Sequence, residues 1–503
     1  MSLAKIITRA QEGVKAPKVT VEVHLSNGLP AFLIVGLPET SVKESKERVR
    51  SALVNSGFLF PEQRITVNLA PADLPKDGGR YDLAIAVGIL VASGQVQNTN
   101  INQFEFFGEL ALSGELAPIT AILPSVMAAA EDRHQAYIPK ANDQLASLVS
   151  HAERKAVTSL QEVWLDLQGQ QALPLNLDYE EQESESSEHM DMSDVKGQAI
   201  AKRVLEIAAA GGHNLLFLGP PGTGKSMLAQ RIPTIMPQMT AEQALETAAV
   251  YSLIGQSVTH KNWLDRPFRS PHHTCSAVAL VGGSSNPKPG EISLAHNGIL
   301  FLDELPEFDR KVLDSLRTPM ETGKVTISRA ARQVDFPANF QLVAALNPSP
   351  TGHHSDKRAT PDQVLKYLSK VSGPFLDRID LQVELPRLST EELQSTKPEE
   401  SSDEIRKRVE QAVLFAYKRQ GKNNSSLSTK ELQKYCALSD ADAHFLGRAA
   451  EKLSLSPRSY HKVLKVARTI ADLNLQHKID LKSLKEALSY RAFERLLSQL
   501  TAY

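Results

Sequence analysis

Two stretches of the chain carry residue types suited to phosphoryl chemistry: Gly219-Pro220-Pro221-Gly222-Thr223-Gly224-Lys225-Ser226 and, further on, Asp303-Glu304. Glycines let backbone N–H groups close around phosphate oxygens, and a helix start adds partial positive charge. Lys225 offers a point charge for β- and γ-phosphates, and Ser226 a hydroxyl for Mg²⁺. Asp303 suits a direct or water-mediated partner of the same ion. Glu304 suits a base that orients an attacking water. ATP and Mg²⁺ are the expected ligands.

These residues need particular elements to hold them. The apolar run Leu215 to Leu218 precedes the loop, and Met227 to Arg231 continues it as a helix, giving strand, turn and helix start. Gly298 to Leu302 reads as a buried strand ending in the two carboxylates. A lone glycine-rich loop is often an ordinary turn; the pair, in this order, points to a nucleotide-driven machine. The next core strand, Phe340 to Leu346, delivers Asn347 to the γ-phosphate or its water. Arg378 stands in a loop beyond the core. Asp194 and Val195 precede a helix from Ala199 to Ala210 that leads into the phosphate loop.

Between the two motifs lies a Gly-, Ser- and Pro-rich stretch containing His272, His273 and Cys275. H-H-x-C without a second close pair is a weak metal signal, so structural or catalytic-loop histidines are the better reading. Glu307 to Met320 reads as a helix. Lys324 to Val334 reads as two short strands with a basic tip. From Arg310 to Arg332 there are six Lys/Arg and two Asp/Glu. After the polar stretch Ser389 to Ser402, helical spacing recurs over 405–417, 429–435, 441–453, 460–474 and 481–496. Ser456 caps the fourth and Pro457 fills its first turn. Arg458 beside them opposes the helix dipole, which suggests another partner such as phosphate.

Composition sets the bounds. A chain of 503 residues suggests about three domains. A formal charge of −2 advertises no general affinity for nucleic acid, so any such site must be a local patch. Two cysteines, Cys275 and Cys436, exclude a disulfide framework and suit a reducing compartment. The N-terminal residues lack a signal-peptide core, and the apolar run Leu83 to Ala92 falls short of the ~18 residues of a membrane span. A soluble, cytoplasmic protein with no membrane contact is expected.

Residues 1–172 read as an independent α/β domain. Val19 to Leu25 alternates with period two, and Ser26-Asn27-Gly28 leads into Ala31 to Val35, a hairpin signal. A helix follows, with Ser41 as its cap and Val42, Val49, Leu53 and Val54 on one face. Ile65 to Leu69 is a strand and Leu83 to Val91 a buried helix. The stretches PADLPKDGGRYDLAIAVGIL (71–90) and FGELALSGELAPITAILPSVMAA (107–129) resemble the proteolytic domain of Lon-type proteases. Arg80 stands where that family has its nucleophilic serine, and Leu123 where it has its lysine. Without that pair no Ser–Lys chemistry is expected, and the scaffold reads as an assembly or substrate-guiding domain. Residues 173–192 contain no Lys or Arg and many Glu and Ser, which reads as a flexible acidic linker.

The order GPPGTGKS, GILFLDE, LVAALNP, FLDRID and SPRSYHKVLKVARTIADL resembles AAA+ ATPases of the Mg-chelatase-like and MCM-like branch. With the Lon-like domain and the stretch RPFRSPHHTCSAVALVGGSSNPKPGEISLAHNGILFLDELPEF, the chain resembles the ComM (YifB) family from end to end. The resemblance implies a Lon-protease-like α/β domain (1–172), a linker (173–192), an AAA+ core (193–388) and a helical lid (389–503). It implies a homo-hexameric DNA helicase that promotes branch migration during natural transformation, with recombination proteins as partners. Asn347 would be the sensor 1 residue, Arg378 the arginine finger reaching a neighbouring subunit's nucleotide, and Arg458 the sensor 2 arginine. In MCM-like rings a hairpin projects into the channel; here that position makes Arg329, with Arg332 and Lys288 behind it, the DNA-contact candidate. A chelatase-type motor remodelling a protein partner is the alternative, and a Lon-like protease a third reading that Arg80 and Leu123 argue against.

Overall fold

A computed structural model describes residues 3–176, 190–256, 258–283, 287–329, 332–349, 360–389, 392, 398–453 and 455–501. Most of the stretch read as an acidic linker lies outside them. Two compact units emerge. One comprises residues 1–183 with 241–263 and 328–336, the other 184–240, 264–327 and 337–503.

The first unit is built on a seven-stranded sheet. Its spatial order is Ala31–Val35, Arg64–Ala70, Lys18–Ser26, Leu3–Arg9, Phe104–Phe106, Gln135–Pro139, Arg154–Val157. The expected hairpin does not form. Lys18–Ser26 pairs antiparallel with Arg64–Ala70, and Ala31–Val35 pairs with that same strand in parallel from its other side. Alternating Val19, Val21 and Val23 face inward and are buried, so the pleat is satisfied by a strand from later in the sequence. Ser41 is not a helix cap either. It lies inside the short helix Thr40–Lys43, where its hydroxyl accepts from the Gly78 amide (3.0 Å) and donates to Asp77 (2.8 Å). Of the predicted face, Val42, Val49 and Leu53 are buried and Val54 is exposed.

The helix Asp82–Ala92 is buried on nearly every side, as its unbroken apolar run requires. Arg9 ties Glu105 and Asp132 together, at 2.6 Å from each, and His134 lies 2.8 Å from the same Glu105 oxygen. Of these three potential metal-ligating residues, Glu105 and Asp132 are already paired with Arg9, and His134 contacts Glu105.

A helix from the middle of the chain, Ala241–Leu253, belongs to this unit. Ala248 and Ala249 join the core of Ile122, Leu123 and Val126, and the Ala121 amide donates to the Ser252 carbonyl (2.9 Å). Helical spacing shows that a face is apolar, not which sheet or helix will cover it.

The second unit holds a five-stranded, all-parallel sheet: Phe268–Arg269, Ile299–Leu302, Gln341–Leu346, Leu215–Leu218, Leu381–Glu384. Leu215–Leu218, Ile299–Leu302 and Gln341–Leu346 are buried at every position, as unbroken apolar strands in a doubly covered parallel sheet must be. Each fully buried Leu or Phe contributes on the order of 1.5–3 kcal/mol. In chain order the strands run second, third, fourth, first, fifth. The order reverses between the first and fourth, and open α/β sheets bind ligands at the strand ends beside such a reversal. The expected helix over Glu307 to Met320 forms in two pieces, Arg310–Ser315 and Arg317–Thr322.

The C-terminal part of this unit is helical. Ser402–Gln420, Thr429–Tyr435, Asp440–Lys452, Pro457–Leu473 and Leu481–Ser489 share one apolar core with the sheet. The segment read as one helix over Leu481 to Leu496 breaks near Tyr490 and resumes as Ala492–Thr501. Ser456 caps Pro457–Leu473 as expected, accepting from the Ser459 amide (3.1 Å), an interaction worth ~1 kcal/mol. Among the described residues, no helix is long and apolar enough to cross a membrane.

Candidate active site

The phosphate loop leaves the first strand at the reversal. Gly222 (φ 79°) and Gly224 (φ 81°) adopt left-handed backbone that a side chain would strain. They turn the loop so that Lys225 opens the helix Lys225–Gln230. The Lys225 ammonium is buried and donates to the carbonyls of Gly219 (2.7 Å) and Pro220 (3.0 Å) and to Asn347 Oδ1 (3.0 Å). Burial pushes its pKa down, against the opposing charges of Asp303 and Glu304. Its nearest partners are neutral oxygens, which compensate a buried cation only in part, so an incoming phosphate gains a preformed electrostatic partner. Thr223 closes the loop by donating to the Pro220 carbonyl (3.0 Å).

Ser226 Oγ donates to Asp303 Oδ2 at 2.6 Å, and the Glu304 amide donates to Asp303 Oδ1 at 2.9 Å. A hydroxyl and a carboxylate at hydrogen-bond distance form the hard-oxygen pair that Mg²⁺ takes beside phosphate. The residues present therefore fit both ATP and Mg²⁺. Glu304 follows with a left-handed backbone (φ 50°) and a side chain 54% exposed. It lines a cavity of about 490 Å³ with Glu307, Asn347, Gln363, Lys366, Tyr367 and Lys370. Asn347 thus joins the two halves of the site, touching Lys225 and facing the cavity of Glu304. Residues 350–359, which follow it closely, lie outside the described residues.

Arg378 and Arg458 stand together elsewhere in the unit. Both line a cavity of about 730 Å³ that includes Glu321, Asp380, Lys462 and Lys465 but none of the phosphate-loop residues. Arg378 donates to the Arg317 carbonyl (3.2 Å) and pairs with Glu321, whereas Arg458 is exposed. Lys462 donates to the Ile379 carbonyl (2.9 Å) and lies 3.6 Å from Asp380, pinning the segment just after Arg378 to the lid helix that begins beside Arg458. Burial resists ionisation of Asp380, yet Lys462, His213 and Lys465 together hold it below the ordinary carboxylate range.

The strands Lys324–Arg329 and Arg332–Pro337 pair into a ribbon. The side chains of Arg329 and Arg332 lie outside the described residues; Lys288 is exposed on the short strand Lys288–Pro289. At Gly282 an added Cβ would come within 2.5 Å of the Lys288 carbonyl and 3.0 Å of Ile327, so Gly282–Gly283, paired with Lys288–Pro289, packs closely against the Ile327 side chain of the ribbon. His273, read as a structural or catalytic-loop histidine, has a partner that its spacing did not name: its Nδ1 lies 3.3 Å from Oε2 of Glu304, just beyond the adjacent strand.

In the first unit, Arg80 is buried and donates to the Thr120 carbonyl (2.6 Å), Gln11 (3.4 Å) and Ser125 (3.5 Å). Leu123 is fully buried. The positions that resemble a serine–lysine pair therefore hold a sealed guanidinium and an apolar core residue.

The parallel sheet, phosphate loop, strand-end carboxylates and helical lid define an AAA+ ATPase module of the Mg-chelatase-like type. Three family models match: "Magnesium chelatase, subunit ChlI" over residues 191–393, "Subunit ChlI of Mg-chelatase" over 21–142, and "Magnesium chelatase, subunit ChlI C-terminal" over 399–491. The chain is 52% identical to Competence protein ComM of Haemophilus influenzae, with 100% of both chains covered. It is 50% identical to the uncharacterized protein YifB of Salmonella typhimurium (99% of each) and 36% identical to the uncharacterized protein Mb2921c of Mycobacterium bovis (98% and 99%). The chain belongs to the ComM (YifB) family.

Proposed function

We propose that this chain is an ATP-driven DNA motor: a cytoplasmic homo-hexameric helicase or translocase that promotes branch migration as incoming DNA recombines during natural transformation. The observation that carries the ATPase part is the continuous set Ser226–Asp303, Lys225–Asn347 and Glu304 around one strand-order reversal. Lys225 and the loop amides hold the phosphates, Asn347 orients the γ-phosphate or its water, and Glu304 takes the proton of the attacking water. Ser226 and Asp303 would hold Mg²⁺, which would supply charge neutralisation for the bound phosphates. Arg378 lines a cavity without phosphate-loop residues, which supports its acting as an arginine finger on a neighbouring subunit's nucleotide and hence a ring, with Arg458 of the lid beside it as the sensor 2 arginine. The competence part rests on the name of the Haemophilus relative. The DNA part rests on the basic ribbon, with Arg329 as the principal contact and Arg332 and Lys288 as weaker ones.

A second reading has its own support. All three matching family models carry a magnesium chelatase description, which favours a motor remodelling a protein partner. ATP turnover measured with and without single-stranded and branched DNA separates them. Turnover that rises with DNA is expected; turnover indifferent to DNA in a protein that binds none would favour the second reading.

A further inference from the structure

The segment that carries Arg378 is held from two sides. On one side stands Asn214, the residue before the strand Leu215–Leu218 that runs into the phosphate loop. Its Nδ2 donates to the Arg378 carbonyl (2.9 Å), and its amide donates to Asp380 Oδ2 (3.2 Å). Its carbonyl accepts from the Asp380 and Leu381 amides, at 3.0 Å each. On the other side lies the lid helix Pro457–Leu473. Lys462 on that helix donates to the Ile379 carbonyl (2.9 Å) and lies 3.6 Å from Asp380 Oδ1. Thr469, further along the same helix, lies 2.7 Å from His213 Nε2, and His213 Nδ1 lies 3.6 Å from Asp380 Oδ2. The Asn214 bonds extend the sheet; the Lys462 bond joins two elements that the sheet does not connect. The Lys462 and Asp380 side chains are only 12% and 11% exposed. Burial pushes the Lys462 pKa down to about 8, against the charge of Asp380. A desolvated pair of this kind adds little net stability over apolar residues of the same size, so what it contributes here is the placement of a backbone segment.

We infer that Lys462 is a positioning residue for Arg378: by holding the Ile379 carbonyl and Asp380 against the lid helix, it sets where a subunit presents that arginine to its neighbour's ATP. The arginine is thereby tied to the lid of its own subunit. The groups that Lys462 holds follow Arg378 by one and two residues, so a shift of the lid helix passes to the arginine with little chain between to absorb it. The Arg378 guanidinium is itself folded back on the Arg317 carbonyl and Glu321, which makes its reach depend on where its backbone is held. Misplacing a reacting group by about 1 Å costs on the order of 100-fold in rate. The inference rests on the reading of Arg378 as acting across a subunit interface.

The test mixes full-length subunits, with exchange verified, and reads ATP turnover with DNA present. Lys462→Met keeps the aliphatic stem and loses the donor. Alone it should hold ATP affinity within about twofold of the parent and lose about 100-fold in turnover. Mixed with Lys225→Ala it should recover turnover, because an intact phosphate loop then meets an intact arginine segment. Mixed with Arg378→Ala it should recover none, because neither subunit then presents a working arginine. The reverse pattern, recovery with Arg378→Ala and none with Lys225→Ala, would assign Lys462 to its own subunit's nucleotide and overturn the inference. Recovery in neither mixture would overturn it as well, leaving Lys462 a structural role only, and so would parent-like turnover in Lys462→Met alone. Should Lys462→Met not assemble with ATP, Asp380→Asn goes through the same mixtures with the same expected pattern. That variant keeps an oxygen for the Asn214 amide and removes the charge facing Lys462. Failure of the reference mixture, Arg378→Ala with Lys225→Ala, would instead remove the reading of Arg378 on which the inference stands.

Discussion

Lys225 in the motor sheet and Arg80 in the first unit are both buried cations whose pKa is pushed down chiefly by desolvation. They differ in what they face. Lys225 is wrapped by two loop carbonyls and Asn347, beside a cavity that Glu304 and Asn347 line. Arg80 spends its donors on Thr120, Gln11 and Ser125 inside a closed core. A buried charge is a tool when an open site lets a ligand complete its shell, and a structural plug when the protein has already done so. Arg378 combines the two: it pairs with Glu321 within its own unit yet lines a large cavity.

Substitutions at these cations should separate sharply. Lys225→Ala should abolish nucleotide binding, while Glu304→Gln should keep ATP bound and lose ~10²–10⁴ in turnover. Binding and single-turnover hydrolysis measured separately check this, and equal loss of binding in both would break the role assignment. Arg378→Ala should cost on the order of 10³ in turnover. Mixing Arg378→Ala with Lys225→Ala subunits should recover part of it, since one interface then pairs an intact loop with an intact arginine. Mixed rings with verified exchange and no recovery would leave Arg378 a role within its own subunit.

Arg80→Met should behave in the opposite manner. ATP affinity and turnover should stay near those of the parent, no peptidase activity should appear, and unfolding should need about 1–3 kcal/mol less because the Thr120 carbonyl loses its donor. Denaturant unfolding beside an ATPase assay checks this; a loss of ATP binding would end the contrast with Lys225. The smallest effect is expected at Arg329. Arg329→Ala should keep basal turnover and lower the log–log salt dependence of DNA binding by ~0.7–0.9 for each phosphate no longer neutralised. An unchanged slope would remove Arg329 from the DNA path.

The motor site was legible because its chemistry is local: Gly219 to Ser226 and Asp303-Glu304 carry their own strand and turn context. Features set by distant pairing were not. Ala31–Val35 followed a turn signal, yet Arg64–Ala70 entered between it and the expected partner. The helix Ala241–Leu253 packs on the core around Leu123, a partner in another part of the chain that local sequence does not name. His273 beside Glu304 depends on parallel register, which spacing along one strand does not encode. Ser41 satisfied the composition of a cap while its hydroxyl was engaged by Asp77 and Gly78.

The most direct test of the central claim is migration of a labelled DNA branch point by the purified protein. Parent with ATP and Mg²⁺ should move the branch to the end of its homologous arm. Glu304→Gln should bind the same junction with ATP and leave it in place. Branch movement by Glu304→Gln at the parent's rate, or no movement by a parent that hydrolyses ATP on that DNA, would contradict the account.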